Sequence, residues 1–224
     1  MNKIVFISDF FVNQVSGGAE IYDDILIEEL RKRGVKVCKF NSHEFTKKHF
    51  HLYEKMGFVF LISNFVNLSN NVMKLIQLYS DKYCILEHDH KYLTTRNPAE
   101  FKNFQAPPQM IINKDFYKSA KQVFCQSIKH AEVLSSNLDI DNVTNLRCSL
   151  WSPEQLDLIR KNIQDKNGKA MIINDPNTIK GASEAVNVCK SKGIEYDLIE
   201  KLPYEEYLSY LGKYDKFVFF PKTL

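Results

Sequence analysis

Ile4-Val5-Phe6-Ile7-Ser8, then Gly17-Gly18-Ala19-Glu20, then Val35-Lys36-Val37-Cys38-Lys39-Phe40 form the stretch whose reading decides the fold. Ile4 to Ile7 are uniformly apolar, as a strand buried on both faces of a parallel sheet must be. Between the glycine pair and Arg33, the residues Ile21, Ile25, Leu26 and Leu30 recur at helical spacing, while Glu28, Glu29, Arg31 and Lys32 fill the other face. Gly34 ends that helix, as a left-handed glycine commonly does. A second strand follows over 35–40. Strand, helix and strand in this order specify a βαβ unit.

The alternation continues outward. Further strands are expected over 58–62, 83–86, 122–125 and 143–146, and helices over 70–80 and 114–120. Ser127 is placed to cap another helix, running through Leu134. The segment 42–53 is polar and aromatic and carries no assignable element, and 91–108 is a long loop with three prolines. A change of regime comes over 148–153, followed by a polar helix to Asn162 and the connector Asp165-Lys166-Asn167-Gly168. A second series then offers strands over 170–173, 196–199 and 217–220, with helices over 181–192 and 204–210. The expected architecture is α/β, with two Rossmann-like, doubly wound parallel sheets. Residues 1–150 form the first domain, 151–168 a linker helix and connector, and 169–224 the first part of a second domain. That second domain reads as incomplete, ending on the buried-looking strand Phe217-Val218-Phe219-Phe220.

Composition narrows the function. With 44% hydrophobic and 25% charged residues the 224-residue chain has the make-up of a soluble globular protein. Its net charge of +3 is spread out, with acidic residues interleaved almost everywhere, so no nucleic-acid footprint is present. No apolar run reaches the roughly 18 residues of a membrane span, which leaves at most peripheral membrane contact. The five cysteines are scattered and form no CxxC pair, so neither a zinc ribbon nor a disulfide framework is signalled; they suit a reducing cytoplasm.

Three constellations could carry chemistry. Gly17-Gly18 opens the first helix, where bare backbone and unpaired amides favour close approach of an anion; the preceding loop is too long for a G-x-G-x-x-G fingerprint. Glu87-His88-Asp89-His90 gathers ionisable groups at the carboxyl end of a strand, where they must be solvated, paired or used. Asn174-Asp175-Pro176-Asn177-Thr178-Ile179-Lys180-Gly181 repeats the strand–loop–helix placement, with Lys180 as a point charge for a diphosphate. Trp151, the single tryptophan, suits packing at the domain junction, and His43, His49 and His51 suit the surface.

Taken together, these residues resemble the retaining glycosyltransferases of the GT-B fold, above all the family 4 group. The likeness rests on Gly17-Gly18-Ala19-Glu20 after the first strand and His88 after the apolar fourth. It rests further on the strand from Ala120 that ends at Ser127, and on Ile179-Lys180-Gly181 at a helix start. The resemblance implies transfer of a sugar from a nucleoside-diphosphate sugar to a sugar or glycan acceptor, with retained configuration and no essential metal or other cofactor. It implies that Gly18 brings a backbone amide to the donor phosphate, that His88 is the catalytic residue beside the transferred sugar, and that Lys180 neutralises the diphosphate. Gly17, Glu20, Asp89, Ser127 and Gly181 fall among its substrate- and donor-binding positions.

Two departures stand out. Asp175 occupies the position where the family commonly has an arginine, and the family's paired glutamates, seven residues apart, have no counterpart before Leu224. The chain therefore reads as the front part of such an enzyme. The alternative is a non-catalytic nucleotide- or sugar-binding module that needs a partner chain to complete its cleft. An open sheet edge also offers a route to a homo-oligomer. An epimerase or hydrolase is disfavoured, because no Tyr-x-x-x-Lys pair stands in a suitable place and no G-x-S-x-G elbow occurs.

Overall fold

A computed structural model describes residues 2–15, 17–176, 180–200 and 202–223. Asn177, Thr178 and Ile179, which belong to the second strand–loop–helix motif, and Leu224 lie outside the described residues. The chain divides into two compact units, Met1–Leu150 and Trp151–Leu224.

In the first unit six parallel strands stand in the order β2-β1-β3-β4-β5-β6. They are β1 (Lys3–Ser8), β2 (Lys36–Asn41), β3 (Val59–Ile62), β4 (Tyr83–Glu87), β5 (Gln122–Cys125) and β6 (Val143–Asn145). Between them lie α1 (Gly18–Lys32), α2 (Lys47–Lys55), α3 (Asn70–Gln77), α4 (Lys114–Lys118) and α5 (Ile128–Leu138). The direction of winding reverses at β1, with β2 on one side and β3 on the other. In sheets of this kind ligands bind outside the carboxyl ends of the strands at that reversal.

Period-two alternation gives the sheet its two cores. Val5, Ile7, Phe60, Ile62, Tyr83, Ile85, Val123 and Cys125 pack against α2 to α5, which contribute Phe50, Ile76, Tyr117 and Leu134 among others. Phe6, Val37, Leu61, Leu86 and Phe124 face the other way, toward Tyr22 and Ile27 of α1. The buried face of α1 thus centres on Tyr22, Asp23 and Ile27, whereas Ile21 and Ile25 are only half-buried. The segment 42–53 is structured after all: a 3-10 turn over Ser42–Glu44 leads into α2, which Thr46 and His49 close with a capping box. Periodicity missed it because His49 both caps the helix and lays its ring on Phe40 and Phe45.

The loop after β4 is tied down. Tyr92 and Leu93 are buried, Leu93 bridges Ile111, and Asn137 of α5 holds the backbone of Phe104 and Ala106.

The second unit holds α6 (Pro153–Lys161), β7 (Ala170–Ile173), α7 (Ala182–Ser191), β8 (Tyr196–Ile199), α8 (Tyr204–Leu211) and β9 (Lys216–Phe217). Its parallel sheet has the order β8-β7-β9, the same layout as β2-β1-β3. α7 covers Ala170 and Ile172, and the α8 side covers Met171 and Ile199. One expectation is corrected here. The last strand pairs only over Lys216–Phe217, with one further backbone bond from the Val218 amide to Met171, and Phe217, Phe219 and Phe220 are 44%, 43% and 41% exposed rather than buried. Trp151 is also half exposed, at 47%. Among the described residues no helix is long and apolar enough to cross a membrane.

Candidate functional site

Gly17 and Gly18 stand at the carboxyl end of β1, at the amino end of α1. Neither glycine is demanded by the fold. Gly17 is extended (φ −109°, ψ 167°) and caps the helix with no side-chain bond. A Cβ on Gly17 would meet only the flexible end of Glu20, and one on Gly18 would meet nothing within 4 Å. The first turn of α1 therefore presents bare backbone to the side where a ligand is expected, with Glu20 as the acidic group folded toward it.

One turn further along α1, Asp23 is fully buried. Ser8 at the end of β1 donates its hydroxyl to Asp23 Oδ2 at 3.4 Å, and His88 Nε2 stands 3.0 Å from Asp23 Oδ1. Gln126, just after β5, reaches His88 Nδ1 at 3.3 Å. Tyr22 lies edge-on to the imidazole with centroids 5.4 Å apart. Burial, then Cys148 and Asp23, push the Tyr22 hydroxyl up to about 12, so it stays protonated. His88 is thus held by three side chains, two from α1 and one from just after β5, with only 6% of its own side chain exposed. Asp23 and Gln126 are site residues that motif reading missed. A signal existed for Asp23: it sits between Tyr22 and Leu26 on the apolar stripe, where an unpaired carboxylate would be costly.

The other face of the same edge carries a buried ion cluster. Glu87, fully buried at the end of β4, accepts from Lys91 Nζ and from the backbone of Asp89, both within 2.9 Å, and from the Tyr117 hydroxyl. Burial alone would push the Glu87 carboxyl up, but Lys91, His130 and the Lys91 and Tyr117 hydrogen bonds outweigh it and hold it at about 2. Asp89 is engaged by Lys91 and by Arg96. The structure therefore places Asp89 in an ion network that anchors the 88–96 segment.

The His90 and His130 rings lie with centroids 4.1 Å apart and planes tilted by 39°. Burial drives both down from 6.5, to about 3 for His90 and about 4 for His130, and the positive charge of Lys91 adds to the effect. Both are neutral at pH 7. Unfolded, they take up protons near 6.5, so between about 6.5 and 4 the unfolded chain binds more protons and stability falls as pH falls. Urea denaturation at pH 7.5 and 5.0 should show this loss, and His130→Asn should flatten it; an unchanged slope in that variant would exclude His130 as a source.

Asp9, after β1, is a structural clip: it takes the backbone amides of Val66 and Asn67 and the Ser42 hydroxyl. Ser63 Oγ and Asn64 Oδ1, where the chain leaves β3 beside β1, are buried with no hydrogen-bond partner among the described residues. They are polar capacity left unused at the reversal point of the sheet. A polar hollow of about 290 Å³ opens nearby, between the 11–14 turn and β2, lined by Phe11, Gln14, Asp24, Lys39 and Asn41.

Three expected residues remain: Ser127, Lys180 and Gly181. Ser127 is exposed and accepts from the His130 amide at 3.1 Å, which is an N-cap role. Lys180 is exposed in the second unit. Gly181 is buried there at φ +68°, and a Cβ would lie 1.8 Å from the Phe220 carbonyl oxygen, so the chain's own backbone accounts for this glycine. Among the described residues no group of three or more His, Cys, Asp or Glu side chains is arranged to hold a metal ion. Comparison with protein-family models finds no match for this chain, and comparison with curated proteins finds none either.

Proposed function

We propose that this chain acts as a retaining glycosyltransferase of the GT-B, family 4-like kind, using a nucleoside-diphosphate sugar and a sugar or glycan acceptor. The observation that carries the reading is the Gly17-Gly18 pair. Neither residue is needed for the backbone, yet together they bare the amino end of a 15-residue helix at the carboxyl edge of the sheet. A helix terminus of this kind holds phosphate through its unpaired amides and its dipole. His88 is bound to the same helix through Asp23, and the resemblance assigns it to the transferred sugar. In the second unit, the same reading makes Lys180 the cation for the diphosphate.

The roles divide by chemistry. Backbone amides at Gly18 stabilise phosphate charge, and such stabilisation of a departing anion is commonly the largest catalytic contribution. Lys180 adds a point charge. His88 orients the sugar.

Isothermal calorimetry with UDP, GDP and ADP tests the reading, and it fails if none of the three binds. Gly18→Ala sharpens the test. Folding stability should hold or rise by about 0.5–1 kcal/mol, since alanine is the better helix residue. Nucleotide affinity should fall by about tenfold or more as the added methyl displaces a hydrogen bond. Equal affinity in wild type and variant would remove the glycine pair from the site. Asp175, with its reversed charge, favours a second reading: a module that binds the nucleotide but performs no transfer until a partner chain completes it. Binding without turnover against any acceptor would select that reading.

A further inference from the structure

The geometry points to Asp23 as the positioning residue of His88, the group that decides which ring nitrogen carries the proton. This inference rests on the reading above, in which His88 lies beside the transferred sugar. Asp23 is buried on α1 and its two oxygens serve different elements: Oδ2 accepts from Ser8 of β1, and Oδ1 meets His88 Nε2 at 3.0 Å after β4. A carboxylate only accepts, so Nε2 holds the proton. On the far side of the ring the Gln126 amide nitrogen stands 3.3 Å from Nδ1 and donates to it, which leaves Nδ1 as an acceptor. The ring is the neutral Nε2–H tautomer, with Tyr22 packed edge-on to fix its plane. Tyr22 and Asp23 are adjacent on one helix, so the helix that begins at Gly18 sets both the plane and the proton of His88. A ligand hydroxyl could take the place of Gln126 at Nδ1; a phosphate oxygen, which only accepts, could not.

The test is 15N NMR of the His88 imidazole at pH 7.5 in the wild type and in Asp23→Asn, Asp23→Leu and Gln126→Leu, with binding of UDP-glucose, GDP-mannose and ADP-glucose measured alongside. The wild type should show the proton on Nε2. Asp23→Asn, whose amide oxygen still accepts, should keep it there, whereas Asp23→Leu should give a tautomer mixture. Asp23→Leu should also weaken whichever nucleotide sugar the wild type binds by about tenfold, and the nucleoside diphosphate alone by less than about twofold. Gln126→Leu should leave the tautomer unchanged, and this variant decides the matter if Asp23→Leu does not fold. A proton on Nδ1, an imidazolium with Gln126 turned over, a reversal in Gln126→Leu, or an unaltered tautomer in folded Asp23→Leu would each overturn the assignment. If no nucleotide sugar binds the wild type, the glycosyltransferase reading falls, while the NMR result still decides what sets the His88 proton.

Discussion

Replacing Lys91 with methionine is expected to destabilise the first unit by about 3–5 kcal/mol at pH 7, because it strands a buried charge. Glu87 is fully buried and Lys91 is 1% exposed, with 2.8 Å between Oε1 and Nζ. The remaining donors to Glu87, which are the Tyr117 hydroxyl and the backbone amides of Asp89 and of residue 91, satisfy lone pairs but bring no positive charge. Methionine preserves the length and apolar stem of Lys91 and removes only its ammonium group, whose Nζ stands 5.6 Å from the centroid of the Phe65 ring, so the loss isolates the charge and not the volume. Two further measurements separate this cause from general damage. Without Lys91 the Glu87 carboxyl should no longer be held at about 2, so the variant's deficit should shrink as pH falls from 7 to 5. The double variant Glu87→Gln/Lys91→Met should recover at least half of the lost stability. Urea denaturation checks both, and a loss under about 1 kcal/mol for Lys91→Met would show that the pair is not the anchor described here.

Gly181→Ala is expected to cost the second unit about 2–4 kcal/mol, from left-handed backbone strain together with a backbone collision. At φ +68° alanine is strained even in open space, and here its methyl would sit 1.8 Å from the Phe220 carbonyl oxygen. Backbone cannot swing aside as a side-chain end can, so the segment after β9 must move. Three small strands and few core residues leave little reserve against such a loss. Thermal unfolding should show a separate early transition for Gly181→Ala, with Gly18→Ala as the control that shows none. A variant that unfolds like the wild type would contradict the structural account of Gly181 and return it to a purely ligand-facing role.

Those two glycines show how far sequence reading reached. Gly17-Gly18 and Lys180-Gly181 look equivalent as strings, each at a strand–loop–helix junction. Only the three-dimensional surroundings separate them: Gly18 opens onto free space and Gly17 meets only the flexible end of Glu20, while Gly181 is pressed against its own backbone. Ser127 caps α5, as its place before a helical stretch led one to expect, whereas the pairing of Asp89 with Lys91 and Arg96 is visible only in the fold. The exposure of Phe217, Phe219 and Phe220 ran against the apolar composition of their segment, because composition reports what could be buried and not what a neighbour covers.

Local periodicity was enough for most of the elements, with α2 and the extent of the last strand as exceptions. The uniformly apolar runs at 4–7, 58–62 and 170–173 and the 3.6-residue pattern of α1 declared an alternating α/β chain, since those signals arise within a few residues of each other. That determination belongs to the sequence alone. Tertiary structure decided the strand order, which puts β3 beside β1 and creates the reversal point, and it decided who meets whom at that edge. Asp23 finds Ser8 15 residues away and His88 65 residues away, and His88 finds Gln126 38 residues away. Such meetings depend on which strands pair and which helix face turns inward, quantities that no local window contains. The sequence therefore names a histidine, and the fold supplies the carboxylate that holds it.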